Sequence, residues 1–509
     1  MIPVVFADTA RALDAHMIDT LHIPSLLLME NAAFGMTVLI ESKFGTDTRI
    51  VALCGPGNNG GDGFATARQL AAKGYSVSVY LVGKPDELKG DAAVNASYFG
   101  TRIIEIQSEA DVQRCLDDLH GCVLIDALFG VGLSREVTGL YAAVIGAVNA
   151  SGAYVVACDI PSGVAADTGA VLGCAVRADE TVTFQCAKPG HFLYPGRELT
   201  GKLIVKEIGT AEGFDGIGSM FAVDDLTLAA RRNDTHKGSF GKLAVVAGSQ
   251  GFSGAGLMCV NAALRAGAGL VTAGIPACLQ PVFSTAIPEA MTFALDDFSG
   301  GLSENCVAGL EKLMAGKTAL AAGPGIGTGG GAAAAVRYLI EHHEIRKVFD
   351  ADALNILAQD IGLLRHKTGD VVLTPHPVEF SRLSGIAPEE LRKGLIGHAK
   401  RFATEYGVTL LVKGATTIVT DGDRVAFVTA GSPGMARGGS GDVLTGVIAG
   451  LMCGGREGGM EGFDAAIYGA YICGKAGEAA AAELGELSMT AGDTLRHIAE
   501  VTKAMMQAI

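Results

Sequence analysis

The hydrophobic positions of the chain form short apolar runs that are followed by polar or glycine-rich turns. In the first half, a run at residues 50–54 precedes a helix-like segment at 63–73 and a second apolar run at 77–82. Two further runs, at 122–126 and 154–159, each end in an aspartate. Strands that alternate with helices predict a parallel sheet, and ligands bind such sheets beyond the carboxyl ends of the strands.

The same alternation restarts in the second half of the chain, where each apolar run again leads into a polar or glycine-rich loop. These runs lie at residues 243–247, 318–322, 371–373 and 409–412. Between the halves, residues 209–220 are rich in glycine and lack periodicity, which is typical of a connection. We therefore expect two α/β domains, at residues 1–215 and 220–509.

The longest apolar stretch, residues 256–276, is interrupted by Asn261, Arg265 and several glycines. It therefore predicts a core helix followed by a strand, and no membrane span. The start of the chain shows no basic segment followed by an apolar signal core, so we expect a cytoplasmic protein. The 11 cysteines are scattered without paired spacing, which favours reduced thiols over a disulfide framework.

The chain has 509 residues and a formal net charge of −15. This length favours more than one hydrophobic core, and the charge argues against broad nucleic-acid binding, which needs clustered lysine and arginine. An anionic small molecule is still compatible with an acidic protein, because backbone N–H groups and helix N-termini can hold it. Composition therefore favours an enzyme that acts on small molecules.

Three loops of the first half follow predicted strands. Residues 55–63 combine glycine, asparagine and aspartate between a strand and a helix, so their N–H groups are suited to a phosphate. The segment is neither a Walker A loop nor a GxGxxG fingerprint, and by itself it is equally compatible with a structural turn. The other two loops are Asp126-Ala-Leu-Phe-Gly-Val-Gly-Leu-Ser-Arg-Glu136 and Asp159-Ile-Pro-Ser-Gly-Val164.

Together with Glu30-Asn31-Ala32, these loops resemble the YjeF N-terminal family, the NAD(P)H-hydrate epimerases, over about residues 8–208. The resemblance implies a Rossmann-like three-layer sandwich. It also implies a hydrated-dinucleotide site formed by Asn58, Asn59, Gly60, Gly61, Asp62, Gly130, Val131, Gly132, Leu133, Ser134, Arg135, Glu136 and Asp159.

The same resemblance implies a potassium ion (K+) held by Asn59, Asp126 and Ser162, whose oxygen atoms suit a hard cation. It places Asp159 at the substrate, where we expect it to transfer a proton while C6 of the nicotinamide ring inverts. The alternative for Asp159 is a structural cap on the following turn.

Near the end of the chain, Gly438-Gly-Ser-Gly-Asp-Val-Leu-Thr-Gly446 precedes an apolar run. Glycines at a helix start let N–H groups converge on a phosphate, and Asp442 in the first turn can accept a proton from a hydroxyl. An aspartate at this position also caps helices in ordinary proteins. The motif alone therefore leaves a catalytic and a structural interpretation open.

Five other loops accompany this motif in order. They begin at Gly248, Gly323, Asp350, Thr374 and Lys413. The set resembles the YjeF C-terminal family, the NAD(P)H-hydrate dehydratases, over about residues 222–505, which implies a ribokinase-like domain. Both families in one chain resemble the bifunctional repair enzymes, which epimerise NADHX and NADPHX and dehydrate the S form with ADP, releasing AMP and phosphate.

This second resemblance implies a hydrate site at Ala255, Gly325, His376 and Asp442. It implies a site for ADP with Mg2+ at Lys413, Gly414, Ala415, Thr416, Thr417, Ser432, Gly438, Gly439, Ser440 and Gly441. It further implies a homo-oligomer. We expect Asp442 to be the base that activates the C6 hydroxyl.

Several assignments stay open at this stage. His376 is either a ligand contact or a core histidine, and Asp350 and Asp352 either bind a metal as a pair or cap and orient a helix. Arg437 departs from the family pattern and would add charge near the phosphates. The alternative function is a ribokinase-like kinase of a small alcohol or vitamin fused to a ligand-binding scaffold domain.

Overall fold

The computed structural model describes residues 1–454 and 458–507, so residues 455–457 and 508–509 of the predicted second domain lie outside the described residues. The chain divides into two compact units, residues 2–221 and residues 222–509. The described helices include none that is both long enough and apolar enough to cross a membrane. All 11 cysteines are free thiols.

The first unit is built on a sheet of seven parallel strands in the order β3-β2-β1-β4-β5-β6-β7. The strands are β1 (Arg49–Cys54), β2 (Ser76–Val82), β3 (Ile103–Ile106), β4 (Val123–Ala127), β5 (Tyr154–Cys158), β6 (Glu180–Phe184) and β7 (Lys202–Lys206). The order reverses direction between β1 and β4. In open α/β sheets a reversal of this kind leaves a crevice beyond the carboxyl ends of the two strands.

Helices cover both faces of this sheet. They are α1 (Ala7–Ala15), α2 (Ser25–Glu41), α3 (Asn58–Ala72), α4 (Gly90–Ser97), α5 (Glu109–Leu119), α6 (Gly139–Ala150) and α7 (Gly196–Thr200). Alternate residues of β1 pack on opposite sides: Ile50 joins the core under α2 and α3, whereas Val51 joins the core under α5 and α6. The predicted three-layer arrangement is confirmed.

The second unit contains a larger sheet in the order β8-β17-β16-β15-β14-β13-β12-β9-β10-β11. Its strands are β8 (Met220–Val223), β9 (Lys242–Val246), β10 (Leu270–Pro276), β11 (Met291–Leu295), β12 (Ala319–Ala322), β13 (Arg346–Phe349), β14 (Val371–Leu373), β15 (Thr409–Val412), β16 (Thr417–Thr420) and β17 (Val425–Val428). The strands from β11 to β15 are parallel, and β15, β16 and β17 pair antiparallel. The order reverses between β9 and β12, as it does between β1 and β4.

Helices again form a layer on each face. They are α8 (Ser253–Arg265), α9 (Gln280–Ala286), α10 (Val307–Met314), α11 (Gly330–Glu341), α12 (Asp352–Gln359), α13 (Pro377–Ser384), α14 (Pro388–Lys393), α15 (Leu395–Tyr406), α16 (Ser440–Met452), α17 (Gly462–Leu484) and α18 (Ala491–Gln507). Phe349 of β13 is fully buried with Phe380 of α13 and Phe402 of α15 on one face. Helices α8, α16 and α17 contact the sheet strands as well.

The predicted helices and strands lie where the structure has them, but some of their first and last residues differ. Residues 256–276 form the end of α8 and the whole of β10, as predicted for a core helix and a strand. In contrast, α3 begins at Asn58, five residues before the predicted start at Gly63. Most of the predicted glycine-rich loop is therefore the first turns of a helix. Strands β3, β6 and β7 of the first unit were not predicted, and neither were β8, β11, β13, β16 and β17 of the second.

Because each unit has its own sheet and its own core, we predict that residues 1–219 and 220–509 fold when they are expressed separately. Each fragment should unfold cooperatively in a thermal scan followed by circular dichroism, with a transition also present in the full chain. Loss of cooperativity in both fragments would contradict the prediction.

Candidate active sites

A cavity of about 550 Å³ lies at the carboxyl end of the first sheet, where the strand order reverses. Its wall includes Asn58, Asn59, Asp62, Gly130, Val131, Gly132, Leu133, Ser134, Arg135 and Asp159 from the predicted site. Gly60, Gly61 and Glu136 of that site are not among the lining residues. The three predicted loops therefore converge on one cavity, with Glu136 at its periphery.

The start of α3 supplies the phosphate-binding geometry that the glycine-rich segment predicted. A Cβ atom on Gly60 would lie 1.9 Å from the Gly55 carbonyl oxygen, so the turn excludes every larger residue. This close approach lets the chain pass directly from β1 into the helix. The free N–H groups of the first helical turn, together with the helix dipole, then point toward the cavity that Asn58 and Asn59 line.

Asp159 follows β5 directly and has a φ of 64°, a conformation that non-glycine residues rarely adopt. Its Oδ1 accepts hydrogen bonds from Lys188 Nζ at 2.5 Å and from Thr183 Oγ1 at 2.8 Å. The side chain of Lys188 is only 3% exposed. Asp159 is therefore one half of a buried ion pair in the cavity wall, and the predicted alternative of a turn cap is wrong.

Opposing effects set the ionisation of Asp159. Burial acts to raise the pKa of its carboxyl group, but the Lys188 ammonium and the hydrogen bonds from Lys188 and Thr183 outweigh burial and leave the pKa below its ordinary value. The carboxylate is thus ionised at neutral pH and still borders the cavity.

His191 holds the backbone of this ion pair in place. Its Nδ1 accepts a hydrogen bond from the Lys188 amide at 3.0 Å, so Nε2 carries the proton and donates to the Asp159 carbonyl oxygen at 2.9 Å. Burial, aided by the Lys188 charge, lowers the pKa of His191 to about 4. The imidazole is therefore neutral, and it positions Asp159 and Lys188 without adding charge.

Three further carboxylates, those of Asp14, Asp62 and Asp91, line the same cavity. Desolvation raises the pKa of Asp14 to about 6, with an added contribution from the charge of Asp159. Desolvation and the charges of Asp159, Asp14 and Asp91 raise the pKa of Asp62 well above its usual range. Asp62 was predicted from its motif, whereas no sequence motif pointed to Asp14.

One of the three predicted potassium ligands, Asp126, is a buried carboxylate. Asp126 is fully buried, and its oxygens accept hydrogen bonds from Ser162 Oγ at 2.6 Å and from the Ser162 amide at 2.8 Å. Within the described residues, no lysine, arginine or histidine forms an ion pair with Asp126. Asn59 has a buried side-chain nitrogen without a hydrogen-bond partner, and a Cβ atom on Gly130 would lie 3.0 Å from its amide oxygen.

In the second unit, the loops after β9 and β12 meet at the reversal of strand order. The Gly248 amide donates to the Pro324 carbonyl oxygen at 2.8 Å, and Ser249 Oγ donates to the Gly325 carbonyl oxygen at 2.8 Å. A Cβ atom on Gly325 would lie 3.1 Å from the Ala255 methyl group. The predicted hydrate-site residues Ala255 and Gly325 are therefore neighbours.

The glycines of the predicted anion hole lie at the start of α16. Gly439 precedes the helix with a φ of 96°, a conformation that glycine adopts without strain. Asp442 lies in the first turn of this helix. Burial and the charge of Asp350 raise the pKa of Asp442 to about 6, against the opposing charge of Lys413.

Lys413 lies directly after β15 and faces this helix start. Its Nζ donates to Asp350 Oδ1 at 2.8 Å and lies 3.8 Å from Glu379 Oε2. A Cβ atom on Gly441 would lie 3.4 Å from both Lys413 Nζ and Asp350 Oδ2. Lys413, Gly441 and Asp442 of the predicted sites are thus brought together by the fold.

His376 is the N-cap residue of α13. Its Nδ1 accepts hydrogen bonds from the Val378 and Glu379 amides, and Glu379 Oε2 accepts one from the His376 amide at 2.8 Å. The His376 side chain is 46% exposed, so it is not a core histidine. Its Nε2 lies 3.4 Å from Glu379 Oε1.

The structure answers two questions that the sequence left open. Asp352 Oδ2 accepts a hydrogen bond from the Gly327 amide at 2.9 Å, so Asp352 supports the Gly323–Gly327 loop. Asp350 instead binds Lys413.

Arg437 lies beside the segment that precedes α18, and its expected effect on the phosphates stays a prediction. Its guanidinium donates to the Leu487 carbonyl oxygen at 2.5 Å and to that of Glu486 at 3.4 Å, because the loop before α18 passes beside it.

The predicted nucleotide residues have mixed local roles. Ser440 Oγ donates to the Met435 carbonyl oxygen at 2.8 Å, and Ser432 Oγ accepts from the Gly434 amide at 3.2 Å, so both hydroxyls order the segment before α16. Thr417 is the first residue of β16. Gly414, Ala415 and Thr416 form the turn between β15 and β16.

Several site residues were missed because their partners are distant in sequence. Lys188 and His191 belong to the segment that follows β6, an unpredicted strand. The polar cluster Lys-Pro-Gly-His after an apolar run was the available signal, since strand-end loops carry function in such sheets. Thr445 and Glu379 belong to the motifs that begin at Gly438 and Thr374, but the sequence predicted no role for either side chain.

Two family models match the chain. Residues 25–190 match the YjeF-related protein N-terminus, and residues 243–500 match the NAD(P)H-hydrate dehydratase family. The first match lies within the first unit, and the second match lies within the second unit.

Among similar proteins, a bifunctional NAD(P)H-hydrate repair enzyme of Moorella thermoacetica is 38% identical over 502 residues, which cover 96% of this chain and 94% of that protein. The enzyme of that name from Escherichia coli is 33% identical and covers 96% of this chain and 92% of its own. A solved ADP/ATP-dependent NAD(P)H-hydrate dehydratase of Bacillus subtilis, co-crystallised with ATP/Mg2+, is 26% identical with a TM-score of 0.46 and covers 55% of this chain and 95% of its own.

Proposed function

The chain belongs to the family of bifunctional NAD(P)H-hydrate repair enzymes, and we propose that its first unit carries the epimerase site and its second unit the dehydratase site. The resemblance inferred from the ordered loops is confirmed by the near full-length match. The enzyme repairs hydrated NAD(P)H, and a vitamin kinase fused to a scaffold is not favoured. The match over 96% of the chain carries this conclusion.

In the epimerase cavity, the N-terminus of α3 and the Gly130–Arg135 segment are placed to bind the dinucleotide phosphates. We assign proton transfer to Asp159, because its carboxylate is ionised and borders the cavity. Inversion at C6 requires a bond at that carbon to break and re-form, and each event moves a proton. Lys188 keeps the Asp159 carboxylate charged and fixed while this occurs.

Asn59, Asp126 and Ser162 fit a potassium ion. Asp126 is a buried carboxylate with no cationic partner among the described side chains, and the Asn59 amide oxygen lies close to Gly130 of the loop that follows Asp126. All three side chains supply oxygen atoms, the ligands that suit a hard cation. A bound potassium ion would supply positive charge beside the start of α3, where a phosphate group also binds.

In the dehydratase unit, we assign Asp442 as the base and the N–H groups of Gly438–Gly441 as the anion hole. Asp442 takes the proton from the C6 hydroxyl as that oxygen attacks the terminal phosphorus of ADP, and AMP leaves. Loss of phosphate from C6 and of a proton from C5 then restores the double bond. Ala255, Gly325 and His376 border the hydrate, and Lys413 faces the phosphates with Mg2+ bound to the nucleotide.

We predict that Asp159→Asn abolishes most of the epimerase activity and leaves dehydration unchanged, because the amide keeps the shape of the side chain but accepts no proton. The loss should be about 10²–10⁴-fold, the usual contribution of a general base. Conversion of R-NADHX to S-NADHX, resolved by chromatography, measures the effect. Wild-type epimerisation in this variant would assign the base elsewhere.

We predict that Asp442→Asn lowers the dehydration rate by about 10²–10⁴-fold while epimerisation persists. In the wild type, dehydration should rise as the pH passes about 6, since the base acts in its ionised form and the pKa of Asp442 is raised to that value. Rates at saturating S-NADHX and Mg·ADP across this pH range measure both effects. A variant that loses nucleotide binding and keeps its saturated rate would show a positioning role.

We predict that ADP is a better phosphoryl donor than ATP, as the resemblance to the bacterial repair enzymes implies. The comparison requires the initial dehydration rate of S-NADHX with each nucleotide at matched free Mg2+. A preference for ATP would overturn this assignment and leave the dehydratase reaction intact.

A further inference from the structure

We propose that Asp350 and Thr445 act as a clamp that holds the Lys413 ammonium at the anion hole of the dehydratase site. In this arrangement Lys413 contacts the transferring phosphoryl group, and Asp350 is a positioning residue that never touches the substrate. The inference rests on the proposed function of the second unit and names the residues that prepare its site for phosphate.

The geometry of Asp350 carries the first step. Its carboxylate is 1% exposed and each oxygen has one partner: Oδ1 accepts from Lys413 Nζ at 2.8 Å, and Oδ2 accepts from Thr445 Oγ1 at 2.7 Å. Thr445 is fully buried and lies one turn beyond Asp442 in α16. The carboxylate therefore ties the lysine to the helix whose N-terminus forms the anion hole.

The surroundings of Lys413 carry the second step. The side chain is 22% exposed, and its Nζ lies 2.8 Å from Asp350 Oδ1 and 3.8 Å from Glu379 Oε2. Burial acts to lower the pKa of Lys413, but Asp350 and Glu379 outweigh it and raise the pKa, so the group stays charged. Because Gly441 has no side chain, the start of α16 approaches the ammonium and the Asp350 carboxylate closely.

The positions of Asp350 and Lys413 in the sheet carry the third step. Asp350 comes directly after β13 and Lys413 directly after β15, so both lie at the carboxyl edge where ligands bind. A buried carboxylate requires a partner wherever it lies, and here its cationic partner lies at the edge where ligands bind. An ammonium that neutralises phosphate charge gains from being fixed before the substrate arrives.

The test is a double-mutant cycle with Lys413→Met and Asp350→Asn in the full chain. Lys413→Met should weaken Mg·ADP binding and lower the dehydration rate, each by about tenfold to a hundredfold, the effect of one lost charge-assisted hydrogen bond. Asp350→Asn should act in the same direction. In the Lys413→Met background, Asp350→Asn should add less than about threefold, because coupled residues are not additive.

Calorimetric binding of Mg·ADP and the rate of S-NADHX dehydration are measured for all four proteins, and epimerase activity reports the folded fraction. Asp370→Asn is the matched control: Asp370 accepts a hydrogen bond from the Gly462 amide at 2.6 Å and lies just before β14, at the opposite edge of the sheet. It should leave both readouts unchanged.

If the effects of the two substitutions on binding and rate simply multiply in the double variant, the clamp proposal is wrong. It is also wrong if either single variant binds Mg·ADP and dehydrates S-NADHX as the wild type does. If Asp350→Asn does not fold, Thr445→Val replaces it, both in the wild-type protein and in the Lys413→Met variant. Thr445→Ser, which keeps the hydroxyl group, should give the wild-type binding and rate. A wild-type protein that binds Mg·ADP without dehydrating the hydrate would refute the proposed function, while the binding cycle would still decide the clamp.

Discussion

The reversal of strand order in each parallel sheet is the constraint on which both sites depend. When neighbouring strands connect to opposite sides of a parallel sheet, their following loops diverge and leave a crevice at the carboxyl edge. The reversal occurs between β1 and β4 in the first unit and between β9 and β12 in the second. The candidate residues of each unit come mainly from the loops and helix starts that follow these strands and their neighbours.

Both crevices contain a buried carboxylate paired with a lysine that follows another strand. Asp159 binds Lys188 in the first unit, and Asp350 binds Lys413 in the second. Removing one member of a buried ion pair typically costs about 3–5 kcal/mol, because the remaining charge stays desolvated. Such pairs are therefore fixed features of a folded site. In both units they place a charge beside a helix N-terminus that is suited to phosphate.

Helix starts supply the second shared element. At α3 and at α16, glycines allow the backbone to turn sharply from a strand or loop into a helix, so unpaired N–H groups face the crevice. This arrangement explains how a chain with a net charge of −15 can bind anionic dinucleotides and nucleotides. Positive potential is created locally by backbone dipoles and a few cationic side chains, among them Arg135 and Lys188 in the first unit and Lys413 in the second.

The sequence by itself determined the α/β class, the two successive domains, the core strands and the loops that bear Asp159 and Asp442. These features depend on local periodicity and on short motifs, which are contiguous in the chain. Only the tertiary structure decided that Lys188 pairs with Asp159, that Lys413 binds Asp350, and that Arg437 bonds to backbone carbonyls before α18. Those partners are brought together by strand order and helix packing, which a one-dimensional pattern does not encode, and burial then sets their charges.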